Sequence, residues 1–83
     1  MNPLDKIKIL KVLKKYKLPS RFKWVSVDEN GSIKVFTERP MYLMCHWLKW
    51  HNNMRQFDLV DERIHFDKTL VEEYCFKFKN KFI

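Results

Sequence analysis

The sequence predicts an α+β fold: an N-terminal amphipathic helix packed on a small antiparallel β-sheet, a β-hairpin plus a third strand, with one or two short helices in the C-terminal half. Three observations carry this expectation. Asn2-Pro3 followed by Asp5 has the form of a helix start. Residues 21–37 alternate with period two on both sides of Asp28-Glu29-Asn30-Gly31. Seven Phe, three Trp and three Tyr supply a large apolar area per residue ordered. A chain of 83 residues buries only about 60% of the surface its unfolded form exposes, so residues 1–83 are expected to form a single domain with one economical core.

The helix is expected to run from Pro3 to near Lys17. Asn2 caps it, Asp5 complements the positive end of its dipole, and Pro19 stops it by disfavouring the helical conformation just upstream. At 100° per residue Ile9, Leu10, Val12, Leu13 and Tyr16 share one broad arc, and Lys8, Lys11 and Lys15 group on the opposite side with Lys14 beside them. In the hairpin, Asp at the first turn position and the chain's only glycine at the fourth suit a type I turn closed by a G1 bulge. That turn fixes the register: Val27 with Ile33 and Val25 with Val35 on one face, Trp24 with Phe36 and Ser26 with Lys34 on the other. The aliphatic face should meet the helix. The Trp24–Phe36 face is left open as either core or contact surface.

Beyond Pro40, Met44, Trp47, Leu48 and His51 fall at i, i+3, i+4 and i+7, which predicts a short helix within residues 41–51 ended by Asn52-Asn53. Residues 55–60 supply the third strand, with Phe57 and Leu59 inward. Asp67 opens a further helix that places Leu70 and Tyr74 on one side. Phe76-Lys77-Phe78-Lys79 alternates with period two, so residues 76–82 are open between strand and helix, and as a strand this tail is a candidate oligomerising edge.

The formal charge of +7 is localised. Residues 1–27 hold eight basic side chains and one acid, and the remaining 56 residues hold nine of each sign. Within that remainder, residues 28–73 are mildly acidic, whereas the tail adds Lys77, Lys79 and Lys81 without an acid. No apolar run approaches the roughly 20 residues of a membrane span, and the lysine-studded N-terminus lacks the apolar stretch of a signal peptide. The expectation is a cytoplasmic protein with no membrane partner. Cys45 and Cys75 are expected to remain free thiols in that compartment.

Chemistry finds little support in the residues. Cys45, His46, His51, His65 and Cys75 lack the paired spacing of a zinc site, so no metal and no other cofactor is expected. Both cysteines have apolar neighbours, where a thiol behaves as a small hydrophobe. Asp58, Asp61, Glu62 and Asp67 have no spacing that specifies a catalytic pair, and one glycine makes no phosphate loop. The chain is therefore expected not to be an enzyme. Binding remains. The basic surface would comprise Lys8, Lys11, Lys14, Lys15, Arg21 and Lys23, with aromatic contacts from Trp24, Phe36, Trp47 and Trp50. Two partners fit: a host protein with an acidic surface, engaged by the aromatics and steered by the lysines, or DNA or RNA, whose phosphates the basic helix neutralises while aromatics stack on bases.

Pro19 and Trp24, Asp28-x-x-Gly31, Ile33-x-Val35-Phe36, Glu38-x-Pro40, Trp47 and then Phe66-x-x-Thr69-Leu70 form an ordered pattern. Over residues 19–70 it resembles small uncharacterised bacteriophage and prophage accessory proteins built on a W-x3-D-x2-G … F … P … W hairpin. Phe66 and Thr69 stand where those proteins more often have Trp and Ser. The resemblance implies a phage product acting in the host cytoplasm, by stoichiometric binding that blocks a host defence or nucleic-acid-handling protein. It supplies no catalytic residue. A virion-assembly component is a third reading.

Overall fold

The computed structural model describes residues 1–80. In chain order its elements are α1 (Pro3–Lys15), β1 (Trp24–Val27), β2 (Ser32–Phe36), β3 (Met41–Leu43), β4 (His46–Leu48), β5 (Gln56–Arg63), a 3-10 helix (Lys68–Tyr74) and β6 (Cys75–Lys77). The fold is α+β, with an antiparallel sheet in the order β5-β2-β1-β6 and a separate two-stranded hairpin, β3-β4.

Asn2 caps α1 through its side-chain oxygen, which accepts from the Leu4 N–H at 2.8 Å, with Pro3 in the first turn. The helix ends at Lys15, two residues before the expected limit, and buries Ile9, Val12 and Leu13. Leu10 stays partly exposed at its flank. The β1-β2 turn closes as the sequence requires: the Gly31 N–H donates to the Asp28 carbonyl at 2.8 Å, the Asp28 N–H donates to the Ser32 carbonyl at 2.9 Å, and Gly31 has φ +87°. The register is Val27–Ile33, Val25–Val35, Ser26–Lys34 and Trp24–Phe36. Period two then sends Val25, Val27, Ile33 and Val35 to the face covered by α1, where they form the main core with Ile9, Val12 and Leu13.

The opposite face is also covered. Phe36, Trp47, Met54 and Cys75 make a second, smaller core, with Trp24, Tyr42 and Val71 packed against it. The short helix expected within residues 41–51 is instead the β3-β4 hairpin, paired Met41–Leu48, Tyr42–Trp47 and Leu43–His46. Its two-residue turn holds Met44 at φ 50° and Cys45 at φ 71°, the left-handed pair that matches the twist of a hairpin. Long-range bonds impose this shape. The Trp47 N–H donates to Asp28 Oδ1 at 2.8 Å, its indole N–H donates to the Val27 carbonyl at 3.0 Å, and the Glu29 N–H donates to the Cys45 carbonyl at 3.1 Å.

The third strand forms beside β2, with Leu59 buried opposite Ile33. Phe57 faces the helix side as expected, opposite Val35, but on this edge strand its ring stays 43% exposed against Tyr16. Asp67 caps the 3-10 helix by accepting from the Thr69 N–H at 2.9 Å; Tyr74 is buried and Leu70 is exposed. Residues 75–77 resolve the ambiguity of the tail in favour of a strand, antiparallel to β1 in the register Val25–Phe76. Residues 78–80 continue without strand structure, and residues 81 and 82 of that expected segment lie outside the described residues.

Candidate functional site

The fold brings the two basic ends of the chain together. β6 pairs with β1 beneath the flank of α1, and the Asn80 side chain ties the tail to the loop after the helix by donating to the carbonyls of Pro19 at 2.7 Å and Phe22 at 3.1 Å. Between α1 and this tail lies an open groove of ≈ 640 Å³. Its apolar lining comes from Leu10, Leu13 and Tyr16 on one side and Phe76 and Phe78 on the other. Around that lining stand Lys6, Lys14, Lys17, Lys77 and Lys79, and among the described residues no carboxylate lines the groove. None of these five lysines forms an ion pair among the described residues, although Lys6 places its ammonium 4.9 Å from the centre of the Phe76 ring.

Of the basic residues expected to bind a partner, Lys14 lies on the groove. Lys8, Lys11 and Lys15 are exposed on the outer side of α1, as the helical arc requires. Arg21 lies 5.4 Å from the centre of the Phe22 ring and lines a separate depression with Tyr16 and Phe57, and Lys23 is exposed. Lys6, Lys17, Lys77 and Lys79 were outside that set. Lys6 and Lys17 belong to the basic N-terminal stretch, and the sequence signal for Lys77 and Lys79 is the acid-free tail, in which lysines alternate with Phe76 and Phe78.

The four aromatic candidates do not share a surface. Phe36 is 0% and Trp47 2% exposed, so both are interior residues, a correction that follows from the hairpin closing over the second face of the sheet. Trp24 is half-buried with the Arg39 guanidinium 5.4 Å from its ring centre. Trp50 alone is largely exposed, at 57%, and its indole N–H donates to the Arg39 carbonyl at 2.8 Å.

Comparison with protein-family profiles, curated proteins and solved structures finds no match for this chain.

The most reactive-looking cluster is a polar depression of ≈ 290 Å³ around Asp28, Lys34, His46 and Arg63. Asp28 is 1% exposed, and its carboxylate is fully engaged: it takes the Trp47 N–H, the Lys34 ammonium at 2.7 Å and His46 Nδ1 at 3.1 Å. Arg63 and Ser32 bond to each other at 3.2 Å, so among the described residues no hydroxyl bonds to His46 as a nucleophile would. The cluster is a joint between two hairpins. Neither cysteine is activated. The Cys45 thiol is raised above its usual range chiefly by its hydrogen bond to Glu29, and burial pushes Cys75 up to about 11. Among the described residues no three His, Cys, Asp or Glu side chains cluster as a metal site, and no helix is long and apolar enough to cross a membrane.

Proposed function

We propose that this chain acts by stoichiometric binding of an acidic segment of another protein, taken up in the groove between α1 and β6. The observation that carries this reading is the groove itself: five lysines around an apolar lining, with no carboxylate among the described residues that line it. Unpaired cations beside apolar area favour a ligand that is both acidic and partly hydrophobic, because the lysines steer encounter while the apolar lining holds the bound state. The motif resemblance over residues 19–70 adds the biological setting, a phage-type accessory protein that blocks a host defence or nucleic-acid-handling protein. Protein is favoured over nucleic acid because Phe36 and Trp47 are interior and Trp24 is half-buried, and the exposed Trp50 does not line the groove, so none of the four expected stacking platforms stands beside its lysines.

The test is capture from nuclease-treated host lysate, comparing the wild type with Lys14→Glu/Lys79→Glu. A protein species retained by the wild type and lost from the variant is expected. Retention that disappears with nuclease treatment, or survives charge reversal unchanged, refutes the reading.

A further inference from the structure

We infer that the partner segment binds as an added β-strand on the free edge of β6, and that it is an extended stretch of alternating acidic and apolar residues. This rests on the groove binding an acidic protein segment, and it specifies the backbone geometry of that contact. β6 ends the sheet order, so one of its edges has no strand beside it among the described residues. The ladder shows which groups face that edge. The Phe78 N–H donates to the Lys23 carbonyl at 2.9 Å, and hydrogen-bonded pairs in an antiparallel ladder recur every second residue, so Phe76 also turns its N–H and carbonyl toward β1. The N–H and carbonyl groups of Lys77 therefore point away from β1, toward the open edge, while Cys75 is buried at the end of the 3-10 helix.

The side chains divide in the same way. Phe76 pairs with Val25 and lies on the helix side of the sheet, whereas Lys77 pairs with Trp24 and lies on the other. A strand added at this edge would turn every second side chain toward Phe76 and Leu10, and the rest toward the side that carries Lys77. Apolar residues suit the first set and carboxylates the second. Lys6 and Lys14 on α1, and Lys17 just beyond its end, extend the positive field along the groove. The same lysines disfavour a second copy of this chain as the occupant, because edge-to-edge pairing of two β6 strands would bring like charges together. Added-strand binding draws affinity from main-chain bonds and specificity from alternate side chains, the two features this edge offers.

The test is fluorescence anisotropy with a labelled peptide about eight residues long of alternating Glu and Val. Two perturbations isolate the main-chain bonds. Lys77→Pro removes an outward N–H without a bond to β1 being lost, and Lys77→Ala removes the same charge but keeps the N–H. Lys77→Pro is expected to bind at least about fivefold more weakly than Lys77→Ala. On the peptide, N-methylation of one alternating set of amides should abolish binding and methylation of the other set should not, a result that does not depend on the variant folding. No binding of the alternating peptide, equal effects of the two methylated sets, or equal binding of Lys77→Pro and Lys77→Ala overturns the strand geometry. Where those fail but Lys14→Glu/Lys79→Glu still releases the captured protein, the acidic partner stands and only the added strand falls. Binding of an oligothymidine at equal affinity overturns both.

Discussion

Asp28→Asn is expected to uncouple the two hairpins at a cost of about 3 kcal/mol. The carboxylate is buried and faces donors on every side: the Trp47 N–H at 2.8 Å, the Lys34 ammonium at 2.7 Å and His46 at 3.1 Å. An amide has one acceptor oxygen and an NH2 group that only donates, so whichever way it turns it sets a donor against Trp47 or against Lys34. Breaking a buried charge pair costs about 3–5 kcal/mol, and the lower end applies because the Lys34 side chain retains 13% exposure. For 83 residues a total stability of roughly 4–12 kcal/mol is the usual range, so the loss is a quarter of it or more. The corresponding fall in midpoint is about 15–20 °C. Urea unfolding followed by tryptophan fluorescence measures it, with Lys34→Met and the double variant completing a cycle whose coupling energy is at least about 1 kcal/mol. A loss below about 1 kcal/mol for Asp28→Asn, or single-variant losses that simply add, refutes the joint.

Four further outcomes are expected. Burial raises the Cys75 thiol from 9.0 to about 11, so the fold favours its neutral form. That stability is present below about pH 9 and is lost as pH rises toward 11; the stability advantage of wild type over Cys75→Ala narrows across this window, and a constant difference contradicts it. In the folded protein iodoacetamide should label the exposed Cys45 and leave Cys75 until denaturant is added, which intact mass resolves as one adduct and then two. Met44→Asn with Cys45→Gly places residues suited to left-handed backbone in the β3-β4 turn and should stabilise by about 1 kcal/mol, whereas an unchanged or lowered midpoint counts against the turn geometry. Ser26 Oγ is buried with no hydrogen-bond partner, so Ser26→Ala should be neutral or stabilising by up to about 1 kcal/mol in urea unfolding, and a loss above that size refutes the orphaned hydroxyl.

Local signals made the first half of the fold legible. The Asn2 cap, the Pro3 start and the Asp28–Gly31 turn each act over four or five residues, and the turn alone carries the register of β1 and β2. The stretch from Met41 to His51 supports two periods. Met44, Trp47, Leu48 and His51 match a helix, while Tyr42 and Trp47 face each other across a hairpin. The turn residues Met44 and Cys45 lack the Asn-Gly chemistry that marks such a hairpin, so the choice falls to Asp28, Glu29 and Val27, more than a dozen residues away, whose bonds hold Trp47 and Cys45. Once the hairpin closes, Phe36 and Trp47 become interior, which is why half of the expected aromatic contact set is core.

The groove was legible only as two separate halves. The arc of α1 placed Lys14 correctly at the edge of the buried stripe, and the alternation of Phe76-Lys77-Phe78-Lys79 held the second wall, but nothing within either segment says that they meet. That meeting depends on β6 choosing the free side of β1, since β5 occupies the free side of β2. The charge distribution acquires its meaning there. Lysines on α1 and lysines on the tail are some 60 residues apart in sequence, yet they border one groove in which no acid stands among the described residues. A solvated helix face needs no such convergence, and lysines guarding an edge need no apolar trough beside them. The presence of both at one place is the physical reason to read the basic surface as a site for an acidic strand.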